Sequence, residues 1–160
     1  MVFQLRRAAP SAIRPLRGDR AEECAAIYAD AFAHPWSARD FATLLSDAST
    51  LGSAAVDPAT NRMRGFVISR FAADEAEILT IAVERAWRGR GVGRDLLREH
   101  LSRARLTGVR TMFLEVDRTN AAAVALYARF GFLEAGQRAG YYRRPDGKPA
   151  TALVMRRDLA

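Results

Sequence analysis

The sequence predicts an α+β fold: a mixed central sheet of about seven strands flanked by four helices, in the order β-α-α-β-β-β-α-β-α-β-β. Three observations lead there. The 160 residues, 49% hydrophobic and 27% charged, suit one compact domain that holds its core without staples. Apolar spacing alternates along the chain between a helical period and a period of two. Cap and turn residues stand where the period changes.

Residues 1–10 read as a loose lead-in and 11–160 as the single domain. Ser11–Leu16 is a short first strand, closed by Pro15 and Gly18. Cys24, Ile27, Tyr28 and Ala31 recur at helical spacing, which predicts a helix over Ala21–Phe32 that Pro35 ends. Ser37 with Asp40 three residues on is a capping-box pattern opening a second helix through Leu45. The period then shortens. Thr50–Val56 and Arg64–Phe71 are strands joined by a D-P-A-T-N turn, and Ala76–Val83 is a third. Gly91–Leu106 is a helix with Leu96, Leu97, Leu101 and Ala104 on one face and Gly108 as its C-terminal cap. Arg110–Val116 is a strand, Asn120 caps a helix to Phe130 that Gly131 ends, and Phe132–Arg138 and Ala152–Asp158 are the last strands, around a P-D-G-K-P turn.

Composition excludes several classes. One cysteine, Cys24, rules out an intrachain disulfide framework and a cysteine-based zinc cage. No apolar run approaches the ~18 residues of a membrane span, and no apolar stretch follows Arg6 and Arg7 as a secretory signal requires. A cytoplasmic protein without membrane contact, and a monomer, is expected. The 25 basic and 18 acidic residues give a net charge of +7, which favours anionic partners. Lys148 is the only lysine, however, and the arginines are scattered without aromatic interleaving, so direct nucleic-acid binding is not expected.

The strongest local signal is Arg88–Gly93, R-G-R-G-V-G, between a strand and a helix. Glycines allow close backbone approach, helix N-terminal N–H groups point outward, and the helix dipole with Arg88, Arg90 and Arg94 favours an anion. The pattern is neither a Walker motif nor G-x-G-x-x-G, and a tight turn with no ligand is the alternative. Glu115 ends a mostly apolar strand, facing away from Met112, Leu114 and Val116; loss of solvent there makes a carboxylate a better proton acceptor. A structural ion pair with one of the many arginines is the alternative, and the residues alone favour it. Tyr127, on a helix rich in small residues near Asn120, has a phenol that could donate a proton, or is a core tyrosine. His34, Pro35 and Trp36 mark a bend. With only His34 and His100, a histidine triad or metal site has little to work with. Cys24 reads as inert core. Tyr141 and Tyr142, before Arg143 and Arg144, line a peptide groove or decorate a solvated hairpin.

The run I-L-T-I-A-V-E-R-A-W-R-G-R-G-V-G followed by F-L-E-V-D-R-T-N-A-A-A-V-A-L-Y-A-R-F-G-F resembles the GNAT acetyltransferases, whose pyrophosphate pattern [QR]-x-x-G-x-[GA] matches Arg88–Gly93. H-P-W-S, L-E-V-x-x-x-N-x-x-A-x-x-L-Y and A-G-Y-Y-R before a D-G turn and A-L-V-M look like the bacterial ribosomal-protein-alanine N-acetyltransferases within that family. The resemblance implies a GNAT fold and acetyl-CoA as cofactor. Ile81, Ala82 and Val83 would present strand backbone to pantetheine, and Arg88, Gly89, Arg90, Gly91, Val92, Gly93 and Arg94 would hold the pyrophosphate. Asn120 and Tyr127 would lie near the cofactor's reactive end, Glu115 would be general base and Tyr127 general acid. Pro35, Trp36, Tyr141 and Tyr142 would contact a protein N-terminus, an alanine of a small-subunit ribosomal protein. A broader N-terminal or lysine acetyltransferase, a small-amine acetyltransferase and a non-catalytic acetyl-CoA-binding module are the competing readings.

Overall fold

The computed structural model describes residues 9–143 and 146–159, with the backbone alone for 141–143. Residues 1–8 of the lead-in, the side chains of Tyr141 and Tyr142, and Arg144 and Pro145 at the last turn lie outside the described residues.

Among the described residues, seven strands and four helices follow the expected order: β1 (Ala12–Pro15), α1 (Ala21–Ala31), α2 (Ala38–Ser46), β2 (Thr50–Val56), β3 (Met63–Ala72), β4 (Glu75–Val83), α3 (Val92–Leu106), β5 (Thr111–Asp117), α4 (Ala121–Arg129), β6 (Leu133–Arg143) and β7 (Pro149–Asp158). Two 3₁₀ turns, Gly18–Arg20 and Arg85–Trp87, precede α1 and α3. The capping box forms as expected: Asp40 N–H donates to Ser37 Oγ at 3.1 Å and Ser37 N–H to Asp40 Oδ2 at 2.9 Å. That acceptance holds the Asp40 carboxyl below the usual carboxylate range. Gly108 and Gly131 take left-handed φ of 95° and 80°, the stops foreseen for α3 and α4.

Two expectations need correction. Pro35 does not end α1; Phe32 turns extended (φ −134°, ψ 144°) one residue after Ala31, and the proline lies in the following bend. The last hairpin is longer than its alternation suggested, with β6 running to Arg143 and β7 starting at Pro149. A proline at the first residue of a strand removes no ladder bond that the strand needs.

The sheet order is β1-β2-β3-β4-β5-β7-β6, and among the described residues only β4–β5 is parallel. That pair is short. Glu75–Ile78 lies beside Thr111–Leu114, and beyond it the strands part, β4 continuing along β3 and β5 along β7. A bulge marks the parting: Ile68 faces Thr80 and Ser69 faces Ile78, leaving Leu79 as the extra residue. An extra residue bends its strand and exchanges the faces of the residues after it. Ala76 and Ile78 accordingly belong with Leu96, Leu97 and Leu101 of α3, Met112, Leu114 and Val116 of β5, and Tyr127 of α4, and beyond the bulge Ile81 and Val83 join them. Ala82 instead packs with Phe66, Ile68, Phe41 and the α1–α2 side. Each leucine buried in these clusters contributes about 1.5–3 kcal/mol. Cys24 is fully buried in the second cluster, and burial pushes its thiol up to about 12, as befits the inert core residue expected there.

Candidate active site

The start of α3 differs from those of α2 and α4, and unlike the equally uncapped start of α1 it falls on a left-handed glycine. α2 and α4 are capped by side-chain oxygens of Ser37 and Asn120, whereas α3 begins at Gly91 (φ 83°) with no side-chain cap. The first intrahelical bond runs from Asp95 N–H to the Gly91 carbonyl, 3.0 Å, so the N–H groups of Val92, Gly93 and Arg94 precede the ladder and await an acceptor. A Cβ at Gly91 would stand 2.7 Å from Arg94 Nη2, which places that guanidinium across the open end. Backbone donors, dipole and cation together suit a phosphate group.

The same spot adjoins the parting of β4 and β5. A Cβ at Gly93 would lie 3.7 Å from Leu126 Cδ2 of α4 and 3.9 Å from Val83 Cγ2 of β4. The open helix end, the β4 terminus and α4 therefore meet at one place, with the unpaired edge of β4 leading away from it. Such an edge offers backbone donors and acceptors to an extended, amide-bearing ligand. Arg88 Nε donates to the Val83 carbonyl at 3.0 Å, so that carbonyl already has a donor. Arg88 and Arg85 also approach Asp30 of α1, at 3.9 and 3.1 Å. Arg64, buried, stacks 3.8 Å from the Trp87 ring and pairs with Asp57 at 2.7 Å, fixing the turn before the glycines. A cavity of about 660 Å³ beside this turn is lined by Arg64, Trp87, Arg90 and Arg94.

Tyr127 and Glu115 flank the parting from opposite faces of β5. Tyr127 packs in the α3–α4 cluster with its ring edge-on to Phe132, 5.8 Å between centroids. Burial pushes its phenol up to about 12, so it stays protonated throughout the neutral range. Glu115 faces the other way, its side chain 15% exposed, with Arg138 Nη1 3.1 Å from Oε1. The ion pair foreseen as the alternative to a base is thus present. It does not exclude that role, because a carboxylate has four lone-pair sites and can receive an arginine and an incoming N–H together. A groove of about 380 Å³ along this face is lined by Arg70, Phe71, Glu77, Phe113, Glu115 and Arg138.

Of the remaining expected site residues, Asn120 commits Oδ1 to Ala123 N–H at 3.2 Å as the cap of α4, leaving its amide N–H₂ as donor. Trp36 stacks on Tyr28 at 5.1 Å, which itself stacks on Phe32 at 4.2 Å, making an aromatic ledge after α1 next to Pro35. Three residues escaped the sequence reading. Arg138 is brought to Glu115 only by the β5–β7–β6 register. Thr80, just past the bulge, has a buried hydroxyl with no partner among the described residues. His100 is fully buried, and its place three and four residues from Leu97 and Leu96 was the available signal.

Comparison with known proteins accords with this geometry. Residues 21–132 match the family model described as the acetyltransferase (GNAT) family. The [ribosomal protein bS18]-alanine N-acetyltransferase of Escherichia coli K12 is 37% identical over 128 residues, covering 78% of this chain and 82% of that one. The N-alpha-acetyltransferase RimI of Mycobacterium tuberculosis is 50% identical over 84 residues, 52% of this chain and 49% of that one. The crystal structure of the Escherichia coli ribosomal-protein-S18-alanine N-acetyltransferase superposes with a TM-score of 0.87 at 33% identity, covering 94% of each chain. The family match over residues 21–132 and the 37% identical relative, on this fold, make the chain a member of the GNAT acetyltransferase family, an enzyme that uses acetyl-CoA.

Proposed function

We propose that the chain acetylates the N-terminal α-amine, an alanine, of a small-subunit ribosomal protein in the cytoplasm, by direct transfer with Glu115 as general base and Tyr127 as general acid. The observation that carries this reading is the placement of a carboxylate and an un-ionised phenol on opposite sides of the β4–β5 parting. The names of the relatives support the acceptor.

An α-amine has a pKa of ~7.8 against ~10.4 for lysine, so its neutral fraction at pH 7 is several hundred-fold larger. A carboxylate acting directly or through one water then suffices to take the proton as nitrogen bonds to the acetyl carbon. Backbone N–H groups of the unpaired β4 reach polarise the carbonyl under attack. Carbon–sulfur cleavage leaves a thiolate, which receives the Tyr127 proton. Burial disfavours thiolate and phenolate alike, so the shift at Tyr127 is partly matched by its acceptor. Cys24 is buried away from the parting, and an acyl-enzyme is not invoked.

The test is acetylation followed by mass spectrometry with three peptides: an N-terminal Ala-Arg ribosomal-type peptide, the same peptide with its α-amine blocked, and a lysine-containing control. One acetyl group on the free α-amine alone supports the reading. Modification of the blocked or lysine peptide replaces it with a broader acetyltransferase. No product alongside measured acetyl-CoA binding points to a different acceptor or to a binding module.

A further inference from the structure

The contact between α3 and the sheet is almost wholly apolar: Val92, Leu96, Leu97, Leu101 and Ala104 face Ala55, Val67, Ile78 and Met112. Such contact is strong and non-directional, and leaves the height and tilt of the helix loosely specified. One polar assembly interrupts it. His100, fully buried, meets Ser53 Oγ of β2 through Nδ1 at 2.9 Å and Ser69 Oγ of β3 through Nε2 at 2.6 Å. Arg103 Nη1 donates to Ser53 Oγ and, at 2.6 Å, to the Gly52 carbonyl. With that donor on its oxygen, Ser53 gives its own proton to Nδ1, and Nε2–H then donates to Ser69. The assembly is satisfied on both ring nitrogens, and no other side-chain hydrogen bond joins α3 to the sheet among the described residues.

Its seat is the bulge. Ser69 stands opposite Ile78 while the preceding Ile68 stands opposite Thr80, so the histidine grips β3 where β4 exchanges its faces and leaves β5. Eight residues separate His100 from Val92, a lever of about 12 Å at ~1.5 Å per residue. A tilt of about 5° at that lever moves the helix N-terminus by ~1 Å, and misplacement of that size is costly where two ends of one ligand must be met together.

We propose that His100 is a positioning residue for acetyl-CoA binding: through Ser69 and Ser53 it fixes the offset between the open end of α3 and the unpaired reach of β4. The proposal rests on the reading that those two features hold the pyrophosphate and the pantetheine arm. It assigns His100 no contact with the reacting atoms.

The test uses the full chain carrying Ser53→Ala, His100→Leu and Ser69→Ala together. Removing all three partners leaves none of them orphaned, so the fold is retained while the histidine's grip on both strands is lost; Arg103 keeps its bond to the Gly52 carbonyl. Calorimetric titration with acetyl-CoA is expected to show binding about tenfold weaker, with melting close to the parent and the acceptor KM unchanged. Ser69→Ala alone, milder, is expected to weaken acetyl-CoA binding in the same direction and serves if the triple variant does not fold. A folded variant that binds acetyl-CoA as the parent does overturns the proposal. Gly91→Ala, run in parallel, separates the two levels. If it weakens binding while the clamp variants do not, only the positioning role falls; if it too binds normally, the site reading falls and the proposal with it.

Discussion

Lowering the pH from 7 to 5 is expected to destabilise this protein through His100 by a calculable amount. Burial, and secondarily the charge of Arg103, pushes the imidazole down from its ordinary 6.5 to about 3. The folded state therefore binds no proton at His100 over the range in which the unfolded chain does. Stability is full above the unfolded value and declines as pH falls below 6.5, until the folded group itself protonates near 3. At pH 5 the unfolded imidazole is almost wholly protonated and the folded one is not, which amounts to about 2 kcal/mol relative to pH 7. For a chain of this size that lowers the melting temperature by roughly 4–8 °C. The three carboxyls with lowered values, Asp40, Asp47 and Asp57, start from 3.8 and titrate below this window. Urea denaturation at pH 7, 6 and 5, for the parent and for His100→Gln, isolates the effect as a difference of slopes. The variant is less stable throughout, but it should lose about 2 kcal/mol less between pH 7 and 5. Equal losses, or a resonance that is missing from His100→Gln and titrates near 6.5 in the folded parent, would refute the reasoning.

Four further outcomes concern the site. Glu115→Gln should lower kcat by about 10²–10⁴-fold with acetyl-CoA binding unchanged; Tyr127→Phe should also lower kcat, and the parent should show no loss of rate from phenol ionisation up to pH 10, since Tyr127 titrates near 12. Steady-state kinetics beside calorimetry checks both. Gly91→Ala forces a side chain to φ 83° and against Arg94, costing about 1–2 kcal/mol of stability and weakening acetyl-CoA binding, read by melting and titration. Thr80→Val removes a buried, unpartnered hydroxyl and should raise stability by about 1 kcal/mol; a fall in kcat in the same variant would mark the hydroxyl as a participant in transfer.

The local pattern was enough for the elements because each is punctuated by residues that act locally: Ser37 and Asp40, Asn120, Gly108 and Gly131 do in the structure what their neighbours in sequence require. The glycine-rich turn was legible for the same reason, since a helix start without a capping oxygen is visible in the sequence itself. Glu115 and Tyr127 were visible only as candidates. Their significance depends on which strands lie beside β5, and that is decided by the β4–β5–β7 register. Arg138 shows this most clearly: nothing near it in sequence connects it to Glu115, and two strand pairings bring them within 3.1 Å. His100 falls inside the predicted third helix, and its spacing from Leu96 and Leu97 says nothing of the two serines that meet its ring.

The bulge at Leu79 has the widest consequence for function. By strict alternation, Ile78, Thr80 and Ala82 would share one face of β4, and the parting from β5 would be lined alike along its length. With one extra residue, Ile78 is followed on the α3–α4 side by Ile81 and Val83, while Thr80 and Ala82 turn to the side of Glu115. The two mouths of the parting then differ in chemistry. One is apolar and ends at uncapped N–H groups and arginines, fitting a long amide-bearing chain that terminates in phosphate. The other carries a carboxylate and a hydroxyl, fitting an amine that must lose a proton. Two substrates of opposite character can thus approach a single break in the sheet from opposite faces, so that neither has to pass the other. A variant that restored regular pairing at Leu79 would therefore be expected to lose both proposed binding sites at once, although it touches neither Glu115 nor the glycines.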